Sequence, residues 1–280
     1  MTGDPLRDPA ARVDVLICAG LDPSGGAGLI ADVRVVSELG GRPVGVVTAL
    51  TVQNTTAVID TEAMGAAAVR EQLEFLLSDV EVRAVKIGMI GSSEIARSIG
   101  AALALTNAPV VWDPVIQPSR GDVSFIDSLF SDAIAALIPH VTVLTPNAHE
   151  LAFLTGAPIT SLAEAISAGE ALARRLATAV LVKGGHLGDS EAEVVDVLCR
   201  PAGPAGPGRP ASPARIELLR GPRVRGGEHV HGTGCALSSA LATHLARGTE
   251  LGLACRAAKD YVAARIAAPV RPGRGAAAVV

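Results

Sequence analysis

Short runs rich in Val and Ile alternate along the chain with longer segments whose apolar residues recur at helical spacing. The first run, VDVLICAG at 13–20, predicts a buried strand, and residues 27–39 predict the helix after it. The same pattern predicts strands in PVGVVTAL (43–50), VRAVKIGMI (82–90), APVVWDPV (108–115), VTVLTPN (141–147) and TAVLVKGG (178–185). Helices are predicted over 63–79, 92–106, 126–138 and 162–176. Strands that are apolar throughout and separated by helices belong in a parallel sheet covered on both faces. The predicted fold class is therefore α/β, a three-layer α/β/α sandwich around a mostly parallel central sheet.

In open parallel sheets ligands bind at the carboxyl ends of the strands. The unusual residues of this chain fall at those ends: Asp22 with its glycines, Gln53-Asn54, Met89, Asp113-Pro114, Pro146-Asn147 and Lys183-Gly184-Gly185. Taken singly, each has an ordinary explanation. Met89 fills core gaps readily, Gln53-Asn54 can end a strand, and Asp113-Pro114 can start a turn.

Composition narrows the function. The chain has 280 residues, 49% hydrophobic and 19% charged, enough for a sizeable core without disulfides or metal. Aromatics are 2% and the net charge is −4, which excludes stacking platforms for single strands and a basic nucleic-acid surface. Cys18, Cys199, Cys235 and Cys255 form no CxxC pair, so neither a zinc site nor a disulfide framework is expected. No apolar run spans a bilayer, and a soluble, cytoplasmic protein without membrane contact is expected. Residues 1–12 read as a disordered extension, the Pro/Gly-rich stretch 200–215 as a low-complexity surface loop or lid, and 269–280 as a frayed tail.

Two glycine-rich stretches carry the chemistry. HVHGTGCALSSALATHLARG (229–248) opens a helix on Gly232, Thr233 and Gly234, with Cys235 on the first turn. Glycines clear side chains from unpaired amides at the positive end of a helix dipole, which suits an anion. GLDPSGGAGLIAD (20–32) joins the first strand to the first helix. Gly26, Gly28 and Ala31 match a dinucleotide fingerprint, which makes a nicotinamide-dependent oxidoreductase one reading. That fingerprint expects an acid ending the second strand, where this chain has Leu50-Thr51-Val52-Gln53-Asn54. No GxxxxGK[ST] loop occurs either. A substrate loop near the start, a glycine-led helix near the end, acids for Mg2+ and one lysine fit phosphoryl transfer better. There catalysis is mostly positioning and charge neutralisation. The amides of 232–235 would hold the moving phosphoryl group, and Lys183 would offset charge on the nucleotide.

The motifs AGLDPSGGAGLIAD, TALTVQNT, VKIGMIGS, WDPVI, LTPNAHE, VLVKGGH and HVHGTGC come in the order and approximate spacing of a known family. Over about 13–265 the chain resembles the hydroxymethylpyrimidine/phosphomethylpyrimidine kinases of thiamine synthesis, in the ribokinase-like superfamily. The resemblance implies a single ribokinase-like domain at 13–268, a homodimer, and use of ATP with Mg2+. It also implies two phosphorylations, of the hydroxymethyl group and then of the monophosphate. It places the pyrimidine among Gly20, Ala27, Gln53, Met89 and Val115, with Gln53 on the amino-pyrimidine edge. It assigns Asp32 to the phosphate region and Mg2+ positioning. Asp113, Asn147 and Glu150 serve metal and triphosphate, Lys183 reaches the phosphates, and Gly232, Thr233, Gly234 and Cys235 form the anion hole.

At the position of Cys235 the sugar kinases of the superfamily carry an aspartate base. A helix N-terminus is expected to lower the thiol pKa, so Cys235 either accepts the hydroxyl proton or supplies only its amide. His229 and His231 invite a metal pair, but no third ligand is evident and they read as loop residues. His186 reads as part of the loop after Lys183. Leu21, where the family has Ser or Thr, and QPSRGD at 117–122 depart from its pattern on the substrate side. A pyridoxal or pyridoxine kinase on the same motifs, or an inactive pyrimidine binder, are the remaining alternatives.

Overall fold

The computed structural model describes residues 12–116, 128–185, 187, 192–203 and 212–280. Among these the chain runs β1 (Asp14–Leu21), α1 (Gly28–Glu38), β2 (Arg42–Gln53), β3 (Val58–Ala63), α2 (Ala66–Leu77), β4 (Ala84–Ile87) and α3 (Ser93–Leu103). It continues through β5 (Val110–Trp112), α4 (Ser128–Leu137), β6 (Val143–Leu144), α5 (Ala148–Thr155), α6 (Leu162–Leu176) and β7 (Ala179–Val182). β8 (Glu193–Arg200), β9 (Arg215–Pro222), α7 (Thr233–Ala246) and α8 (Leu251–Ala267) complete it.

All the strands join one sheet of order β3-β2-β1-β4-β5-β6-β7-β8-β9. From β2 to β7 every neighbouring pair is parallel, as the uniformly apolar runs require. On β1 the faces alternate. Leu16 and Cys18 pack with side chains of α2 to α6, while Val15, Ile17 and Ala19 pack with α1, α7 and α8. The sandwich therefore has three layers. A buried Leu or Ile in either cluster contributes about 1.5–3 kcal/mol. Connections leave β1 toward β2 on one side and reach β4 on the other, so the strand order reverses beside β1. That reversal is where a parallel sheet opens a crevice.

Several features depart from the sequence expectation. β3, β8 and β9 are antiparallel strands that the parallel pattern did not anticipate. β3 and β9 are solvated along most of their length and so carry no apolar run, and β8 lies between β7 and β9. The expected strand at 141–147 is only two residues long, because Asn147 caps α5 immediately after it. The ends of the expected 200–215 loop are strand residues, and Gly203 pairs with Ser212 beyond them. Residues 1–11, 117–127, 186, 188–191 and 204–211 lie outside the described residues, and with them all but the last residue of the expected extension, the QPSRGD stretch and His186.

The expected frayed tail is instead packed. Ala277, Ala278 and Val279 are buried, and backbone bonds link Ala278 with Val270 in both directions. The small apolar end of the chain finds a covered groove beside His231, with which Ala278 forms a parallel bridge. No helix among the described residues is long and apolar enough to cross a membrane.

Candidate active site

A cavity of about 800 Å³ opens at the carboxyl ends of β1, β4, β5 and β7. Every residue singled out from the sequence as a site residue lines it, except Asp32. They reach the cavity from strand ends or from the first turns of α1, α5 and α7. The exception, together with the pairing found inside, changes several of the expected roles.

The first turn of α7 forms one wall. Gly232 is its N-cap at φ 83°, and no side chain caps the helix. A Cβ at Gly232 would lie 2.0 Å from the Gly26 carbonyl oxygen, so two conditions select glycine there. The first helical bond recorded near this end is from the Ala236 amide to the Gly232 carbonyl. The amides of Thr233, Gly234 and Cys235 precede it, in the part of a helix that has no intrahelical acceptor. A Cβ at Gly234 would lie 3.2 Å from Lys183 Nζ and 3.4 Å from Asp113 Oδ2, which puts the cradle against the cation.

Lys183 is not a free cation. Its ammonium donates to Asp113 Oδ1 at 2.6 Å and lies 3.5 Å from Glu150 Oε2. Burial works against the charged form, but Asp113 and Glu150 outweigh it and hold the lysine charged. Glu150 is pushed up to about 7 by burial, against the opposing pull of Lys183. Asn147 and Glu150 form a capping box on α5: Asn147 Oδ1 accepts from the Glu150 amide at 2.9 Å, and Glu150 Oε2 accepts from the Asn147 amide at 2.6 Å. Asn147, expected at the nucleotide, is thus engaged in a helix cap. A parallel bridge between Asn147 and Lys183 holds the two strand ends together.

Asp32 lies under the floor rather than in the cavity. It accepts from Lys86 Nζ at 2.5 Å and from Ser239 Oγ at 2.8 Å, and both members of the Lys86–Asp32 pair have 0% side-chain exposure. Its expected place in metal positioning is corrected on that ground, since its oxygens are spent inside the protein. Burial pushes Asp32 up while Lys86 and Ser239 pull it down. The pair is ionised, because a neutral carboxyl would leave the buried ammonium without a counter-charge. Lys86, in the middle of an apolar strand, was not singled out from the sequence. A lone lysine in such a run is itself the signal.

The expected lowering of the Cys235 pKa is also overturned. Burial pushes the thiol up to about 11, against Lys86 and the Gly28 amide, which lower it. Desolvation of the thiolate outweighs the helix end.

The other end of the cavity is built by the loop after β1. Asp22 folds it locally: Oδ1 accepts from the Ser24 amide and hydroxyl at 2.8 and 2.7 Å, and Oδ2 accepts from the Ala27 amide at 2.9 Å. Burial alone raises this carboxyl, yet bonds from His231 and Ser24 hold it below the usual range. Gly20 lies against the Met89 sulfur, where a Cβ would come within 3.1 Å. Gly28 sits at φ 57°, and a Cβ there would meet the Gly20 carbonyl at 2.3 Å. Gln53 and His231 face each other at 3.2 Å. His231 is therefore part of the site and not a simple loop residue, whereas His229 is exposed. Asn54, by contrast, caps the β2–β3 turn through Thr56 and Ala57.

A second buried cation braces the wall opposite. Asp196 on β8 accepts from the Gly184 amide at 2.7 Å and from Lys259 Nζ on α8 at 2.9 Å. A Cβ at Gly184 would fall 1.9 Å from the Val195 carbonyl oxygen. The residue after Lys183 is thus clamped to β8. Beyond it the cavity wall turns apolar, with Val224, Val262 and Ile266.

Comparison with known proteins agrees with this geometry. The profile of a family described as phosphomethylpyrimidine kinase matches residues 22–280. A hydroxymethylpyrimidine/phosphomethylpyrimidine kinase of Streptomyces coelicolor is 38% identical over 264 residues, 93% of this chain and 91% of that protein. Among solved structures, a phosphomethylpyrimidine kinase from Clostridium difficile superposes with a TM-score of 0.72 at 32% identity, over 91% of this chain and 100% of that one. A pyridoxal kinase from Staphylococcus aureus in complex with ADP superposes with a TM-score of 0.81 at 26% identity, over 96% and 93%.

Proposed function

The chain belongs to the phosphomethylpyrimidine kinase family, and from that premise we propose how its cavity works. It transfers the terminal phosphoryl group of ATP to the hydroxymethyl oxygen of 4-amino-5-hydroxymethyl-2-methylpyrimidine, and then phosphorylates the monophosphate to the diphosphate, for thiamine biosynthesis. The observation that carries this reading is the uncapped first turn of α7 lying between the Lys183 ammonium and the substrate loop.

The pyrimidine occupies the end lined by Gly20, Ala27, Gln53, Met89 and Val115. The nucleotide takes the end bounded by Val224, Val262 and Ile266, with its phosphates toward Lys183. The amides of Thr233, Gly234 and Cys235 donate to the equatorial oxygens of the phosphoryl group in flight. The Cys235 thiol, protonated at neutral pH, contributes through its main-chain N–H, and a loose transition state demands little base strength.

Mg2+ is held by one or two carboxylates plus substrate phosphates and water. No cluster of three metal-ligating side chains occurs among the described residues, and Asp113 with Glu150 fit that sparse donor set. Bound there, Mg2+ supplies charge neutralisation on the phosphates. Exposed Leu50, Val52 and Ile59 on the β2–β3 edge support pairing into a homodimer, which sedimentation velocity tests. A cytoplasmic location fits the need for ATP.

The decisive experiment incubates the protein with Mg-ATP and hydroxymethylpyrimidine and weighs the products for one and two added phosphates. The likeness to a pyridoxal kinase favours a second reading. Faster turnover of pyridoxal in the same assay would replace the first with it.

A further inference from the structure

His231 joins three parts of the cavity that are distant in sequence. Its Nε2 lies 3.4 Å from Asp22 Oδ2 and 3.2 Å from Gln53 Nε2, and its side chain is 12% exposed. Its backbone is gripped by the end of the chain: the His231 amide donates to the Ala277 carbonyl at 2.8 Å, and the Val279 amide donates to the His231 carbonyl at 3.2 Å. On the other side of the ring, Gly26 leaves room that a Cβ, at 2.9 Å from Cδ2, would take away. His231 is thus held through its backbone and through the edge of its ring.

Proton bookkeeping then constrains Gln53. A carboxylate only accepts, so the contact with Asp22 requires hydrogen on His231 Nε2. The partner Nδ1 is buried and has no hydrogen-bond partner among the described residues. An unfilled lone pair there is less costly than an unpaired N–H. With Nε2 a donor, two N–H groups would face each other, so the Gln53 amide must be turned over to bring its oxygen, in place of its nitrogen, to the imidazole. The far end of the amide gives the same answer independently. Thr51 Oγ1 lies 3.3 Å from Gln53 Oε1, but its one hydrogen goes to the nearer Leu21 carbonyl at 2.9 Å. Its oxygen can only accept from Gln53, which places the amide nitrogen on the Thr51 side. The oxygen and nitrogen of such an amide have nearly the same shape, so the hydrogen-bond network decides its orientation.

We propose that His231 is a positioning residue for the pyrimidine, locking the Gln53 amide with its oxygen toward the imidazole and its nitrogen toward Thr51. The cavity then shows an acceptor on the His231 side and a donor on the Thr51 side. An amino-pyrimidine edge, an exocyclic N–H beside a ring nitrogen lone pair, fits that pair in a single orientation. The amino group faces His231 and the ring nitrogen faces Thr51.

This inference rests on the pyrimidine reading of the cavity, and one comparison tests both. Glutamine can place its amide N–H where Nε2 stands, whereas asparagine reaches only the Nδ1 position. Binding of hydroxymethylpyrimidine is measured by calorimetry for the unaltered chain, His231→Gln and His231→Asn, with KM for ATP as the control. The expected result is binding within about threefold of the original for His231→Gln and about tenfold weaker for His231→Asn, the loss of a bond to a charged or fixed partner. KM for ATP stays the same in both. Equal binding by the two variants, whether weakened or intact, would overturn the positioning role, because mere packing does not distinguish the two ring nitrogens. No binding by the unaltered chain would overturn the pyrimidine reading itself, and this one with it.

Discussion

The ammonium of Lys86 meets the carboxylate of Asp32 at 2.5 Å with no solvent exposure on either side chain, and the pair lies against α7. Asp32 also accepts from Ser239, one turn after Cys235, so the pair ties α1 and β4 to α7. Removing one member leaves a buried charge alone. Asp32→Asn is expected to cost about 3–5 kcal/mol in urea unfolding, and the double change Lys86→Met with Asp32→Leu to recover most of it. A single variant as stable as the parent would mean that the pair is not ionised.

The glycine at the α7 N-cap is expected to admit no side chain. Gly232→Ala places a Cβ at φ 83° and against the Gly26 carbonyl. The backbone strain alone costs about 1–3 kcal/mol, and displacement of the first turn should cut turnover sharply. Thermal melting and steady-state kinetics together check this.

At Gly234 the backbone has room but the cradle does not. Gly234→Val projects a side chain toward Lys183 and Asp113. Turnover is expected to fall on the order of 10²-fold or more, the scale for losing preorganised donors, while the melting temperature holds. Lys183→Met should likewise lower kcat far more than it weakens pyrimidine binding, which calorimetry on the same sample reads separately.

The Cys235 thiol gives a pH prediction. Its pKa of about 11 lies above the ordinary value of 9.0, so the reactive thiolate is scarcer than in a free cysteine at every pH below that. Alkylation by iodoacetamide, located by mass spectrometry, should be slow at pH 7.5 and climb toward pH 11. Cys235→Ala keeps the amide and is expected to retain most activity. Loss of more than about 10²-fold would restore the thiol to the role of base.

Removal of residues 276–280 strips buried Ala277, Ala278 and Val279 and the two bonds to His231. Stability should fall by roughly 2–4 kcal/mol, from lost apolar burial. The Michaelis constant for the pyrimidine should rise while that for ATP is unchanged.

The parallel frame is legible in the sequence, because buried strands are unbroken apolar runs, and the cavity opens where those runs stop. β7 shows this: AVLV is wholly buried and Lys183 follows at once. What escapes is pairing. Whether Asp32 faces a metal or a lysine depends on Lys86, 54 residues away along the chain, and no local pattern couples them. His231 escapes for the same reason, since its partners Asp22 and Gln53 come from the other end of the chain. The tail escapes because its grip on His231 is made by backbone atoms, which composition does not report.

The Asp196 carboxylate accepts from Gly184 and from Lys259 at once. The last long helix is thereby geared to the strand end that carries Lys183. A substitution that shifts α8, which also lends Val262 and Ile266 to the cavity wall, should be felt as altered nucleotide handling, so variation along that helix offers a way to retune ATP use without touching the pyrimidine end.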